Sequence, residues 1–172
     1  MKKLFLFIFI CTLSYSSYSQ NKDYNQYVES IDSTIKTLYK VISGEKGEER
    51  NWELFNYLFH KDARLMPSGN NRQGVKGVRY MTAQEYIDTS GKWLLENGFF
   101  ENEIGRKVDQ FGNIAHVFSS YESFKSAKDE KPFMRGINSI QLYNDGNRWW
   151  ILNVYWQGET KEHPIPKKYL NE

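Results

Sequence analysis

Few residues of this chain have the type and spacing that chemistry needs. His60 and Asp62 could form part of a metal site, but no third ligand is assigned, and His163 sits in a Pro-flanked tail. A turn or capping role suits Asp62 better. His116 and Glu122 lie on one strand face, and Glu122 is placed to pair with Arg135. Cys11 is the single cysteine, which excludes a disulfide framework and any multi-cysteine metal site. Phosphate loops, nucleophile elbows and dinucleotide fingerprints are absent from the sequence, and Gly74-x-x-Gly77 neither follows a strand nor opens a helix. No cofactor or metal is expected.

Residues 1–19 read as a secretory signal. Lys2 and Lys3 give a basic start, Leu4 to Leu13 is too short to span a bilayer, and Ser17-Tyr18-Ser19 offers small residues for cleavage before Gln20. A lipid anchor on Cys11 would need a small residue where Ile10 stands. Cleavage removes Cys11, and with it cysteine nucleophiles and redox chemistry. The expected mature chain, residues 20–172, is a single domain, exported to the periplasm or beyond and free of the membrane. The 172 residues carry 23 basic and 21 acidic side chains, so losing two lysines leaves the mature chain formally neutral. That excludes the positive excess that nucleic-acid binding requires. Aromatics reach 16%, an area that demands extensive burial.

Hydrophobic spacing supplies the elements. From Asp23 to Ser43, gaps of three and four predict one amphipathic helix stopped at Gly44. A shorter helix carries Trp52, Leu54, Phe55, Leu58 and Phe59, and Ala63 to Met66 forms a short strand closed by Pro67. Residues 68–81 read as a loop. Thr82 and Glu85 form a capping box for a third helix ending at Asn97-Gly98. The period then changes to two. Phe100, Ile104 and Val108 share one strand face, with Glu101, Glu103 and Lys107 opposite. Strands follow over Ile114–Phe124, Phe133–Tyr143 and Arg148–Gln157, the last two joined through Asp145-Gly146. Pro164 and Pro166 bar a central strand from the tail, which starts near residue 158. The last strand is apolar on both faces. Trp150, Leu152, Val154 and Trp156 form one of them, which needs cover from the tail or a second copy of the chain.

This α+β order resembles the nuclear transport factor two-like (SnoaL-like) superfamily. The resemblance rests on Trp52 with Leu58-Phe59 and Asp62-Ala63, on Phe111 to Val117, on Gly136 to Leu142, and on Asp145-Gly146-Asn147-Arg148-Trp149-Trp150-Ile151. It covers about Tyr24 to Gln157. It implies three N-terminal helices packed in a curved antiparallel sheet, a cone with a pocket at its open end. Sheet-to-sheet dimers are common among such proteins, which fits a homodimer through Trp150, Leu152, Val154 and Trp156. The superfamily holds ketosteroid isomerases, dehydratases, polyketide cyclases and members without a known reaction, so the fold alone does not give the function.

The resemblance turns Trp149 and Ile151 inward. By alternation Asn102, Arg106, Tyr121, Asn138, Asn153 and Tyr155 then face the pocket, with Asp62 at its mouth as the partner of Arg106. These eight residues, Trp149 included, are the expected ligand-binding set. They would orient a carboxylate or carbonyl, or else form a polar network that fixes strand register. The long strands then present no inward Asp, Glu or His, which weighs against proton-transfer catalysis. Two functions remain: a domain that binds an apolar or amphipathic small molecule in an aromatic-lined pocket, and a cofactor-free isomerase, lyase or cyclase. An inward acid would decide between them.

Overall fold

Ser30 starts the first long helix. Its hydroxyl accepts from the Ser33 amide at 3.0 Å, and the Ser33 hydroxyl accepts from the Ser30 amide at 3.1 Å. The computed structural model describes residues 23–70 and 73–171, so the expected signal lies outside the described residues. Helix α1 is Ile31–Ile42, preceded by a separate 3-10 turn at Asn25–Tyr27. The single helix expected from Asp23 is split because the Val28 carbonyl accepts the Trp149 amide at 2.8 Å instead of continuing a helix. Helix α2 (Trp52–Leu58) is capped by the Asn51 side chain, and α3 (Ala83–Asn97) by the reciprocal Thr82–Glu85 pair. α3 ends at Gly98, whose φ of 72° is left-handed. A Cβ there would also meet the Lys125 carbonyl at 2.3 Å, so a side chain is excluded twice over.

The strands are β1 (Phe59–Asn70), β2 (Lys76–Val78), β3 (Phe100–Phe111), β4 (Ile114–Phe124), β5 (Met134–Asn144) and β6 (Trp149–Gly158). They form one curled sheet in the order β2-β1-β6-β5-β4-β3. The sheet is not wholly antiparallel, because β1 runs parallel to β6. β1 also extends well beyond the expected Ala63–Met66. It passes through Pro67, whose carbonyl still accepts from Arg79 at 3.1 Å. Within the expected loop, β2 pairs with Ser68–Asn70.

Two bulges decide which residues face inward. In β3, Glu103 pairs with Tyr121 and Gly105 with Ser120, leaving Ile104 as an extra residue. In β6, Ile151 pairs with Leu142 and Asn153 with Gln141, leaving Leu152 extra. Each extra residue reverses the alternation. Glu101 and Glu103 therefore join the face of buried Ser123 and Tyr121, while Val154 and Trp156 turn to the face of buried Ile140 and Asn138. The expected outward strip of Trp150, Leu152, Val154 and Trp156 does not exist as a surface. Val154 is buried, and Trp156 packs against the core. Trp150 lies under the Arg148 guanidinium at 3.6 Å and donates its indole N–H to Asp145 at 2.7 Å, leaving Leu152 exposed.

Helix and sheet residues share a single core that includes Ile35, Phe55, Leu58, Val117, Ile140 and Ile151. The tail covers part of the opposite face. Tyr169 meets Phe118 ring to edge at 4.8 Å, and the Asn171 amide donates to the Ile104 carbonyl at 3.0 Å. Gly105 makes this approach possible, since a Cβ there would sit 2.2 Å from the Tyr169 carbonyl. We expect Gly105→Val to displace the tail at a cost of about 1–3 kcal/mol. Limited proteolysis should then cut within residues 159–171 before the rest of the chain. An uncut tail would show that Gly105 is not what admits it.

Candidate functional site

A cavity of about 220 Å³ lies where α1, α2 and α3 approach β1, β3, β4, β5 and β6. Most of its wall is apolar: Leu38 and Ile42 from α1, Phe55 from α2, Trp93 and Leu94 from α3, Leu65 from β1, and Val154 and Trp156 from β6. Phe99 and Met134 complete that wall. Its polar end is formed by Glu101, Asn138 and the ring of Tyr121, with Tyr86 and Ser90 from α3. The α3 residues arrive there because Thr82 fixes the start of the helix and Gly98 its end. Arg50 ties the same end of the molecule together. Its guanidinium donates to the carbonyls of Ile42 at 2.9 Å, Gly44 at 2.7 Å and Leu94 at 3.4 Å, joining the ends of α1 and α3.

Glu101 is the one acid in this wall among the described residues. Its carboxylate accepts from Asn138 Nδ2 at 3.3 Å and from Ser123 Oγ at 3.2 Å. Burial pushes the carboxyl up to about 7, against the pull of these two donors. The neighbouring phenols of Tyr39, Tyr86 and Tyr121 are raised by their own burial and then by the Glu101 charge. The Tyr121 hydroxyl is buried and has no hydrogen-bond partner among the described residues. Gly136 makes room for it, because a Cβ there would lie 2.5 Å from that oxygen.

A directed line of hydrogen bonds runs from Glu101 along the inner face. Asn138 also donates to the Tyr39 hydroxyl at 3.1 Å, which lies 2.7 Å from Ser119 Oγ. Ser119 donates its single hydrogen to Glu103, so Tyr39 must donate to Ser119. Glu103 in turn accepts from Arg106 Nε at 2.8 Å and Nη2 at 2.5 Å, and Arg106 Nη1 reaches Asp32 at 3.2 Å. Burial alone would lower Arg106, but the carboxylates of Glu103 and Asp32 outweigh it and raise it.

Of the expected ligand-binding residues, the structure brings Tyr121 and Asn138 to the cavity wall and places the other six elsewhere. Arg106 faces inward but is held by Glu103 and Asp32, not by Asp62. Asp62 is exposed and pairs with Lys61 at 2.6 Å, because it lies in the stretch between Phe59 and Arg64 where the pairing of β1 with β6 is interrupted. Asn102 precedes the β3 bulge and is exposed. Asn153 and Tyr155 follow the β6 bulge and face away from the cavity, with Tyr155 lining an open groove beside the tail. Trp149 points inward, but into the solid core. Glu101 is the residue that alternation misplaces, and Gly105 inside β3 is the sequence signal of a bulge that could have found it. His116 stays on the outer face, 3.0 Å from Ser139, and Arg135 pairs with Glu159 at 3.5 Å. Among the described residues, no group of three or more His, Cys, Asp or Glu side chains is placed to hold a metal ion.

The same architecture occurs in solved structures. A protein of cystatin-like fold from Nostoc punctiforme matches with a TM-score of 0.55 at 11% identity, covering 76% of this chain and 90% of that one. A nuclear transport factor two-like protein from Shewanella baltica gives 0.54 at 12%, covering 82% and 100%. A candidate scytalone dehydratase from Novosphingobium aromaticivorans gives 0.56 at 14%, covering 83% and 90%. No family model and no curated protein sequence matches the chain. The fold is nuclear transport factor two-like: among the described residues, three α-helices and a curled six-stranded sheet form an α+β architecture.

Proposed function

We propose that this chain is an exported small-molecule-binding domain, with the helices filling the curl of the sheet and a ligand site at its open end. The observation that carries this reading is the cavity itself, an aromatic and aliphatic wall closed at one end by Glu101, Asn138 and the ring of Tyr121. The ligand has an apolar body and one polar end. A probe of that form is 2-phenylethanol, whose binding should quench Trp93 and Trp156. Ser90→Phe places a ring in the cavity wall and should weaken that binding about tenfold or more, with the melting temperature unchanged. Equal binding by both proteins would put the site elsewhere and end this reading. Export is checked by the intact mass of the secreted protein, which should begin at Gln20.

A second reading, a cofactor-free isomerase or lyase, is favoured by one observation: an inward acid that titrates near neutrality lies in the same cavity as a phenol. Glu101 would take a proton from carbon, and Tyr121 would donate to the oxygen on which charge develops. Hydrogen exchange at the carbons flanking the carbonyl of 4-phenyl-2-butanone in heavy water tests it. The protein should accelerate exchange and Glu101→Gln should not. Equal rates for the two proteins would dismiss catalysis and leave binding standing.

A further inference from the structure

We propose that the cavity selects organic cations: small molecules with a compact apolar body and one ammonium group, seated against the Glu101 carboxylate among aromatic faces. This inference rests on the binding reading above and names its ligand class.

Three observations carry it. First, among the described residues Glu101 is the only charged side chain in the wall, and none of the others there is Lys, Arg or His. Second, six aromatic residues line the same space: Phe55, Tyr86, Trp93, Phe99, Tyr121 and Trp156. Aromatic faces attract cations through the ring quadrupole, more strongly where water is excluded. Third, the nearby cations are already engaged. Arg106 is held by Glu103 and Asp32, and Arg50 by backbone carbonyls. On α1, Lys36 pairs with Asp32 at 2.8 Å. Lys36 and Lys40 border an open groove that Glu101 also lines, with Glu48 and Glu103, and neither lysine holds the Glu101 carboxyl. A carboxylate accepts about four hydrogen bonds, and Glu101 takes one each from Asn138 and Ser123. The remaining lone pairs suit the N–H groups of an ammonium. An anionic ligand would instead meet an acid with no cation to offset it, the reverse of the carboxylate ligand expected for Arg106.

The groups around Glu101 make the preference pH-dependent in one direction. Tyr39 from α1, Tyr86 from α3 and Tyr121 from β4 stay neutral over the working range, and Glu103 faces Arg106. Glu101 is the acid that faces the cavity, so cation binding strengthens as the pH rises through its titration and then levels off.

Calorimetric titration with 2-phenylethylamine, 2-phenylethanol and phenylacetate tests the inference, since the three differ mainly at the polar end. At about pH 8 the amine should bind roughly tenfold or more tighter than the alcohol, and phenylacetate weakest. The lead of the amine should all but vanish near pH 5. Glu101→Gln should erase it at every pH. The pH series on the unaltered protein tests the same point without any substitution. If the alcohol matches the amine near pH 8, or phenylacetate binds best, the cation assignment is overturned while the binding site stands. If none of the three binds at roughly 10 mM, both the assignment and the binding reading fail.

Discussion

Replacing Glu101 by Gln should stabilise the protein at about pH 8, raising its melting temperature by roughly 5–10 °C, and should change little near pH 4. Burial lifts the carboxyl from an ordinary 4.5 to about 7 in the folded chain. Below 4.5 the acid is protonated in both folded and unfolded states, so it costs folding nothing. Between that value and about 7 the unfolded chain gives up the proton first, and stability falls as the pH rises. Above 7 the whole cost is present. A tenfold change in proton affinity is worth about 1.4 kcal/mol. Allowing for the partial solvent exposure of Glu101 gives a cost on the order of 2–3 kcal/mol. The Gln amide keeps the bond from Asn138, and Ser123 can turn its hydroxyl to accept. Melting curves of both proteins from pH 4 to 9 check the claim. Parallel curves would mean that Glu101 is not desolvated.

The second large effect belongs to Arg106. Arg106→Met should destabilise the fold by about 2–4 kcal/mol, because it would leave the largely enclosed Glu103 carboxyl without its cation and, among the described residues, with Ser119 as its remaining donor. Glu103→Gln should cost less, since Arg106 retains Asp32. The double variant should recover most of the loss from Arg106→Met, and Asp62→Asn should leave the melting temperature unchanged. Denaturant unfolding of the four variants separates these outcomes. Additive single effects, with no relief in the double, would show that Arg106 and Glu103 are not energetically a pair.

Local signals in the sequence reach far into this fold. The Thr82–Glu85 capping box, the left-handed stop at Gly98 and the Asp145-Gly146 turn each depend on a few consecutive residues, and the chain folds there as those residues require. The split before α1 is different. It depends on Trp149 reaching back to Val28, a contact between distant segments that periodicity does not carry. The site was legible only in part for a similar reason. Tyr121 and Asn138 lie on uninterrupted stretches of β4 and β5, so strict alternation turns them correctly inward. Glu101 precedes an extra residue in β3, and Asn153 and Tyr155 follow one in β6, so strict alternation reverses all three. One Gly in β3 hinted at the irregularity. Nothing comparable marks Leu152.

The extra residue at Ile104 makes the character of the cavity a matter of strand pairing as well as residue identity. If Ile104 entered the ladder opposite Tyr121 while the pairing of residues 105–111 is kept, the start of β3 would turn by one pleat. Asn102 would then replace an acid on the inner face with an amide, and Glu101 and Glu103 would pass to the outside without a single side chain having been exchanged. Deleting Ile104 would instead leave a regular ladder with both acids still facing in. A relative one residue shorter here would therefore keep its acid, whereas one of equal length with an unbroken ladder would present an uncharged cavity.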